Sequence, residues 1–96
     1  MPKLTVANEI YRQIGGRRFA AMTGARQFAG DKDSLRFRIG RNRSKAAIIR
    51  ISLNGYDLYD MTLYRSNGDI ENIREMLYAE DLERVFASET GLDTRL

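Results

Sequence analysis

The sequence predicts an α+β fold: an antiparallel sheet of three to five strands, with N- and C-terminal helices packed on one of its faces. Three observations carry this. Apolar residues recur at helical spacing at Val6, Ile10 and Ile14, and again at Leu82, Val85 and Phe86. Between them, Leu35, Phe37 and Ile39 alternate with arginines, and Ile49, Ile51 and Leu53 repeat with period two. Asn67-Gly68 then separates two further runs with the composition of a type I′ hairpin turn. A chain of 96 residues holds one core, so residues 1–96 form a single domain.

In chain order, Lys3 to Ile14 reads as a helix with Thr5 at its N-cap, stopped by Gly15-Gly16. Arg17 to Thr23 is expected as a short strand, with Phe19, Ala21 and Thr23 on one face, although Phe19 and Met22 also suit a helix. Gly24 and the run Gly30 to Asp33 read as turns. Ser34 to Ile39 is the clearest strand, apolar inside and basic outside. The connection GRNRSK, residues 40–45, has no apolar side chain and belongs in solvent. Ala46 to Leu53 follows with Ala47, Ile49, Ile51 and Leu53 inward. Tyr56 to Arg65 comes next, with Tyr59, Met61 and Leu63 inward. Ile70 to Met76 has a poor pattern and suits a short edge strand, and Ala79 to Glu89 reads as a helix ended by Gly91. Val6, Ile10, Ile14, Leu82, Val85 and Phe86 should close over Phe37, Ile49, Ile51 and Met61.

Composition excludes most chemistry. With no Cys and no His, disulfides, Cys/His zinc sites, cysteine nucleophiles and histidine bases all fall away. No motif brings two of the remaining reactive side chains together, so no catalytic residue, metal or cofactor is expected. Asp57, Asp60 and Asp69 match no calcium-loop spacing and read as turn caps and ion-pair partners. The segment TGARQFAGDK lacks the phosphate-loop register. No apolar run approaches the roughly 20 residues of a bilayer span, and MPKLTVANEI has no signal-peptide core, so a cytoplasmic location is expected.

The net charge of +3 hides a strong asymmetry. Residues 1–50 carry twelve basic side chains against three acidic ones, and residues 51–96 carry four against ten. Such a split points to a polyanionic partner, unless the halves neutralise each other in the fold or in a homo-oligomer. Arg36, Arg38, Arg41, Arg43, Lys45 and Arg50 form the candidate binding cluster: three on the open faces of neighbouring strands, three in the adjoining loop. Asn42 and Ser44 add neutral donors. The stripe lacks surface aromatics apart from Tyr64, so base stacking of the kind sheet-type RNA binders use has little support in the sequence. The expected partner is nucleic acid or a nucleoprotein. One alternative is a protein-only interaction module or inhibitor, using these arginines against an acidic surface or the acidic C-terminal helix against a basic one. Another is a self-assembling structural protein.

The segments GGRRFAAMTGARQF (15–28), SLRFRIGRNRSKA (34–46), ISLNGYDLYDM (51–61) and YAEDLERVFASETGLDTRL (78–96) resemble a widespread set of small bacteriophage and mobile-element proteins. The resemblance spans about two-thirds of the chain and keeps the order of the segments. Members of that set run longer between the LYDM strand and the YAEDL helix, where this chain has YRSNGDIENIREML, so the resemblance leaves the fifth strand unsupported. It supplies no catalytic or binding residues. What it implies is context: a small accessory protein in a bacterial host cell, acting on DNA or on host defence.

Overall fold

The computed structural model describes residues 5–94. Helix α1 (Thr5–Ile14) buries Ala7, Ile10 and Ile14, as its four-residue period requires; the expected start at Lys3 lies outside the described residues. Gly15, at φ 126°, turns the chain directly into α2 (Gly16–Thr23). A Cβ on Gly15 would lie 2.9 Å from the Cβ of Phe19, closer than side chains tolerate, so this corner needs glycine on two counts.

The strand expected over residues 17–23 is therefore a helix. Phe19 and Thr23, one helical turn apart, are its buried residues, and the Thr23 hydroxyl donates back to the Phe19 carbonyl at 2.7 Å. Gly24 then ends α2 in the left-handed region, its N–H donating to Ala20 O at 2.9 Å. The first strand comes later, as β1 (Arg26–Gly30), between the turns expected at Gly24 and at Gly30 to Asp33, where the sequence reading assigns no element.

Strands β2 (Ser34–Arg38), β3 (Ile48–Leu53), β4 (Tyr59–Tyr64) and β5 (Ile70–Leu77) complete the sheet. Its order is β1-β2-β3-β4-β5, with every neighbouring pair antiparallel. A 3₁₀ turn (Ala79–Asp81) leads into α3 (Leu82–Thr90), which Gly91 ends at φ 73°. Strand β5 is an edge, as expected, and it reaches full length despite its weak pattern. It is bulged at two places, one of them at Met76 with φ 59°.

The helices all pack on one face of the sheet. Leu35 opposes Ile51, Phe37 opposes Ile49, Ile49 opposes Leu63 and Ile51 opposes Met61, which sets one inward stripe across three strands. Ile10, Ile14, Leu82, Val85 and Phe86 close over it, and all are fully buried; Val6 only flanks the core. Phe19, Phe37 and Phe86 meet with ring centroids 4.8–6.1 Å apart, so α2, β2 and α3 are joined through one aromatic cluster.

One detail departs from the expected alternation. Strand β3 begins at Ile48, and Ala46 rather than Ala47 turns inward. The cause is the preceding loop: Asn42 Nδ2 donates to Gly40 O at 2.8 Å and to Ala46 O at 2.9 Å, so the chain is still closing a turn at Ala46. Among the described residues no helix is long and apolar enough to cross a membrane.

Candidate functional site

With the helices on one side, the other face of the sheet is left uncovered. Alternation along β2 and β3 puts Arg36, Arg38 and Arg50 on that open face, as expected. The register adds what spacing alone does not show. Arg36 stands directly opposite Arg50 across β2 and β3, and Arg38 stands directly opposite Arg26 across β1 and β2. Two like-charged cross-strand pairs therefore lie side by side, and Arg26 is a fourth arginine, from a stretch to which the sequence reading assigns no strand.

Directly opposed residues have Cβ atoms about 4.5–5.5 Å apart, close enough for like charges to destabilise a sheet. Among the described residues, no carboxylate comes within ion-pair distance of Arg26, Arg36, Arg38 or Arg50. Asp31 borders the hollow beside Arg36 and Arg50, where its Oδ1 accepts from Lys32 N at 2.8 Å. Asp60 is also on the open face, and it accepts from Met76 N at 3.0 Å and from Asn54 Nδ2 at 3.2 Å.

The acidic half of the chain is occupied elsewhere. Glu71 pairs with Arg65 at 2.7 Å, Glu89 with Arg74 at 3.0 Å and Asp81 with Arg84 at 2.9 Å, all within that half. Glu9 is paired locally with Arg12. Only Arg18–Glu83, at 3.8 Å, joins the two halves among the described ion pairs. The charge of Lys45 beside Glu71 is a second link between the halves, and neither link brings a carboxylate within ion-pair distance of the open-face arginines.

The loop arginines separate from the strand arginines. Arg41 is exposed at the loop surface. Arg43, also exposed, is anchored: its N–H donates to Thr90 O at 2.9 Å, its guanidinium donates to Ser88 O, and its side chain lies against Gly91. It therefore caps the carbonyl end of α3, where a cation is favoured. Lys45 sits by Glu71, whose carboxyl is held below the usual range by the Arg65 hydrogen bond first, and also by the backbone N–H and charge of Lys45.

Asn42 and Ser44, read from sequence as free donors, are engaged within the loop. Both donors of the Asn42 amide go to backbone carbonyls, its Oδ1 accepts from Ser44 N at 2.9 Å, and Ser44 Oγ accepts from Ala46 N at 3.1 Å.

An apolar strip borders the arginines. Tyr64 opposes Ile48 on one side and Ile70 on the other, and Ile73 opposes Thr62 on the same face. Arg36, Ile48, Arg50, Tyr64 and Gly68 line one open hollow of about 260 Å³. That is below the roughly 300–1,000 Å³ of a small-molecule pocket, and the hollow opens outward, so the face suits an extended ligand better than an enclosed one. Among the described residues no group of three carboxylates is placed to hold a metal ion. No family model matches this chain, and no curated protein or solved structure is similar to it.

Proposed function

We propose that this chain is a non-enzymatic accessory protein, of phage or mobile-element context, that binds nucleic acid or a nucleoprotein through the open face of its sheet. The single observation behind this reading is the set of two cross-strand arginine pairs with no described carboxylate partner. A fold that keeps four guanidiniums adjacent bears a repulsive cost that a polyanion removes. Arg41, at the loop surface, extends the same charge toward one end of the sheet. The phage context rests on the resemblance of the four segments quoted above, and a role in modulating host defence belongs to that context.

The test is the salt dependence of binding. With fluorescently labelled mixed-sequence DNA and RNA, log affinity should fall linearly with log salt, by roughly 0.7–0.9 per phosphate contacted. Replacing Arg36 and Arg50 together with Gln should flatten that slope by about two contacts. No binding to either nucleic acid at about 50 mM salt would overturn the reading.

An acidic protein surface is the second reading, since the same arginine pairs without a described carboxylate partner would accept carboxylates from outside the chain. Arginine's planar fork engages carboxylates in a bidentate manner that lysine cannot copy. Polyglutamate against labelled oligonucleotides separates the two: a phosphate-reading face binds the oligonucleotides, whereas a carboxylate-reading face binds polyglutamate in their place.

A further inference from the structure

Resting on that reading, we infer that the ligand is single-stranded rather than duplex nucleic acid, its backbone held by the arginines and its bases laid on Tyr64, Ile48 and Ile73. Width decides against the duplex. Five strands at about 4.8 Å spacing make a face roughly 19 Å across, and the major groove of a duplex is about 12 Å wide. The face cannot enter a groove, so it would meet a duplex only along its phosphates.

The apolar strip would then be pressed against charge. Tyr64 and Ile48 are half-buried, whereas Ile70 and Ile73 are 55% and 45% exposed. Ile48 and Tyr64 line one hollow with Arg36 and Arg50, and Ile70 and Ile73 continue the strip one strand further out, opposite Tyr64 and Thr62. A single strand resolves the mismatch, because its bases are free of the stack and can lie on an aromatic ring, an aliphatic floor or a guanidinium plane. A charge on every nucleotide also suits a face whose four paired arginines have no described carboxylate partner, whereas a protein interface mixes signs.

The experiment uses the full chain with labelled oligo-dT, oligo-U and a duplex of the same length, read by fluorescence anisotropy. Either single strand should bind at least about ten-fold tighter than the duplex, and the two single-stranded arms distinguish DNA from RNA. Tyr64→Ala should weaken single-strand binding roughly 5- to 100-fold while Tyr64→Phe keeps it, because stacking needs the ring and not the hydroxyl.

Should Tyr64→Ala fail to fold, Ile73→Asp carries the same test, since it puts a carboxylate into an exposed part of the floor; the loss should appear with the melt unchanged. Equal affinity for duplex and single strand, with no effect of Tyr64→Ala or Ile73→Asp, would overturn this inference and leave the basic-face reading standing. Binding to polyglutamate but to no nucleic acid would overturn both.

Discussion

Arg43 donates to the last carbonyls of α3, whereas Arg41, two positions earlier, stays exposed at the loop surface. Their replacement by Ala should therefore differ. Arg43→Ala loses a cation at a helix C-terminus and should cost about 0.3–1 kcal/mol, while Arg41→Ala should stay within about 0.5 kcal/mol of the parent in a urea melt. Equal costs would mean that Arg43 does not cap α3. Asn42→Ala should cost more, about 1–3 kcal/mol, because it strips partners from two carbonyls of a part-buried turn. None of this was legible in GRNRSK. Its lack of apolar residues correctly places Arg41, Arg43 and Lys45 at the surface, but exposure does not say which polar atoms are already engaged. That depends on Ser88 and Thr90, distant in sequence.

At the scale of elements, α1, β2 to β4 and α3 were readable because each has a buried stripe at one clear period. Phe37 and Ile49, opposed in register and fully buried, should each cost about 2–5 kcal/mol on truncation to Ala. A urea melt shifted by less than 0.5 kcal/mol would mean the sheet packs with its other face inward. One element differs from the sequence reading and another is absent from it, each for a physical reason. Residues 17–23 satisfy both periods, since Phe19, Ala21 and Thr23 alternate while Phe19 and Thr23 are also one helical turn apart. The glycine corner at Gly15 and the Phe19–Phe86 contact select the helix. Strand β1 is short, poor in β-branched residues and broken by a bulge where Gln27 takes φ 56°, so its alternation is lost. Helix α3 carries a pH dependence at its start. The Asp81 carboxyl is held below the usual range by Arg84 first, and then by the Tyr78 N–H. Its folded pKa lies below its unfolded value, so its contribution is present above about pH 3.9 and is lost as pH falls through the folded pKa. Asp81→Asn should flatten the acid side of a plot of Tm against pH; an unchanged acid limb would show that the Arg84 contact does not contribute.

Across the whole molecule, the uneven charge of the sequence becomes a division of labour. Among the described residues, the acidic half pairs its Arg65, Arg74 and Arg84 with its own carboxylates around β5 and α3, and the basic half is left to crowd its arginines on β1 to β3. The asymmetry was visible in the sequence, but which charges remain free was not, because that follows from the sheet register. It has a consequence for stability that needs no ligand. Opposed like charges should cost the native sheet about 0.2–1 kcal/mol, and salt should relieve this as the Debye length falls from about 10 Å at 0.1 M to about 3 Å at 1 M. Arg36→Gln removes one member of the central pair while keeping most of the side-chain stem, so packing against the strand is preserved. In dilute buffer the variant should melt at or above the parent. Sodium chloride should then raise the parent's Tm more than the variant's, bringing the two together. Salt also weakens the favourable pairs at Glu71, Asp81 and Glu89, but it does so equally in both proteins, so the difference between them isolates the arginine pair. Parallel salt responses would show that Arg36 and Arg50 do not repel, and the open face would then lose its electrostatic reason to hold a polyanion.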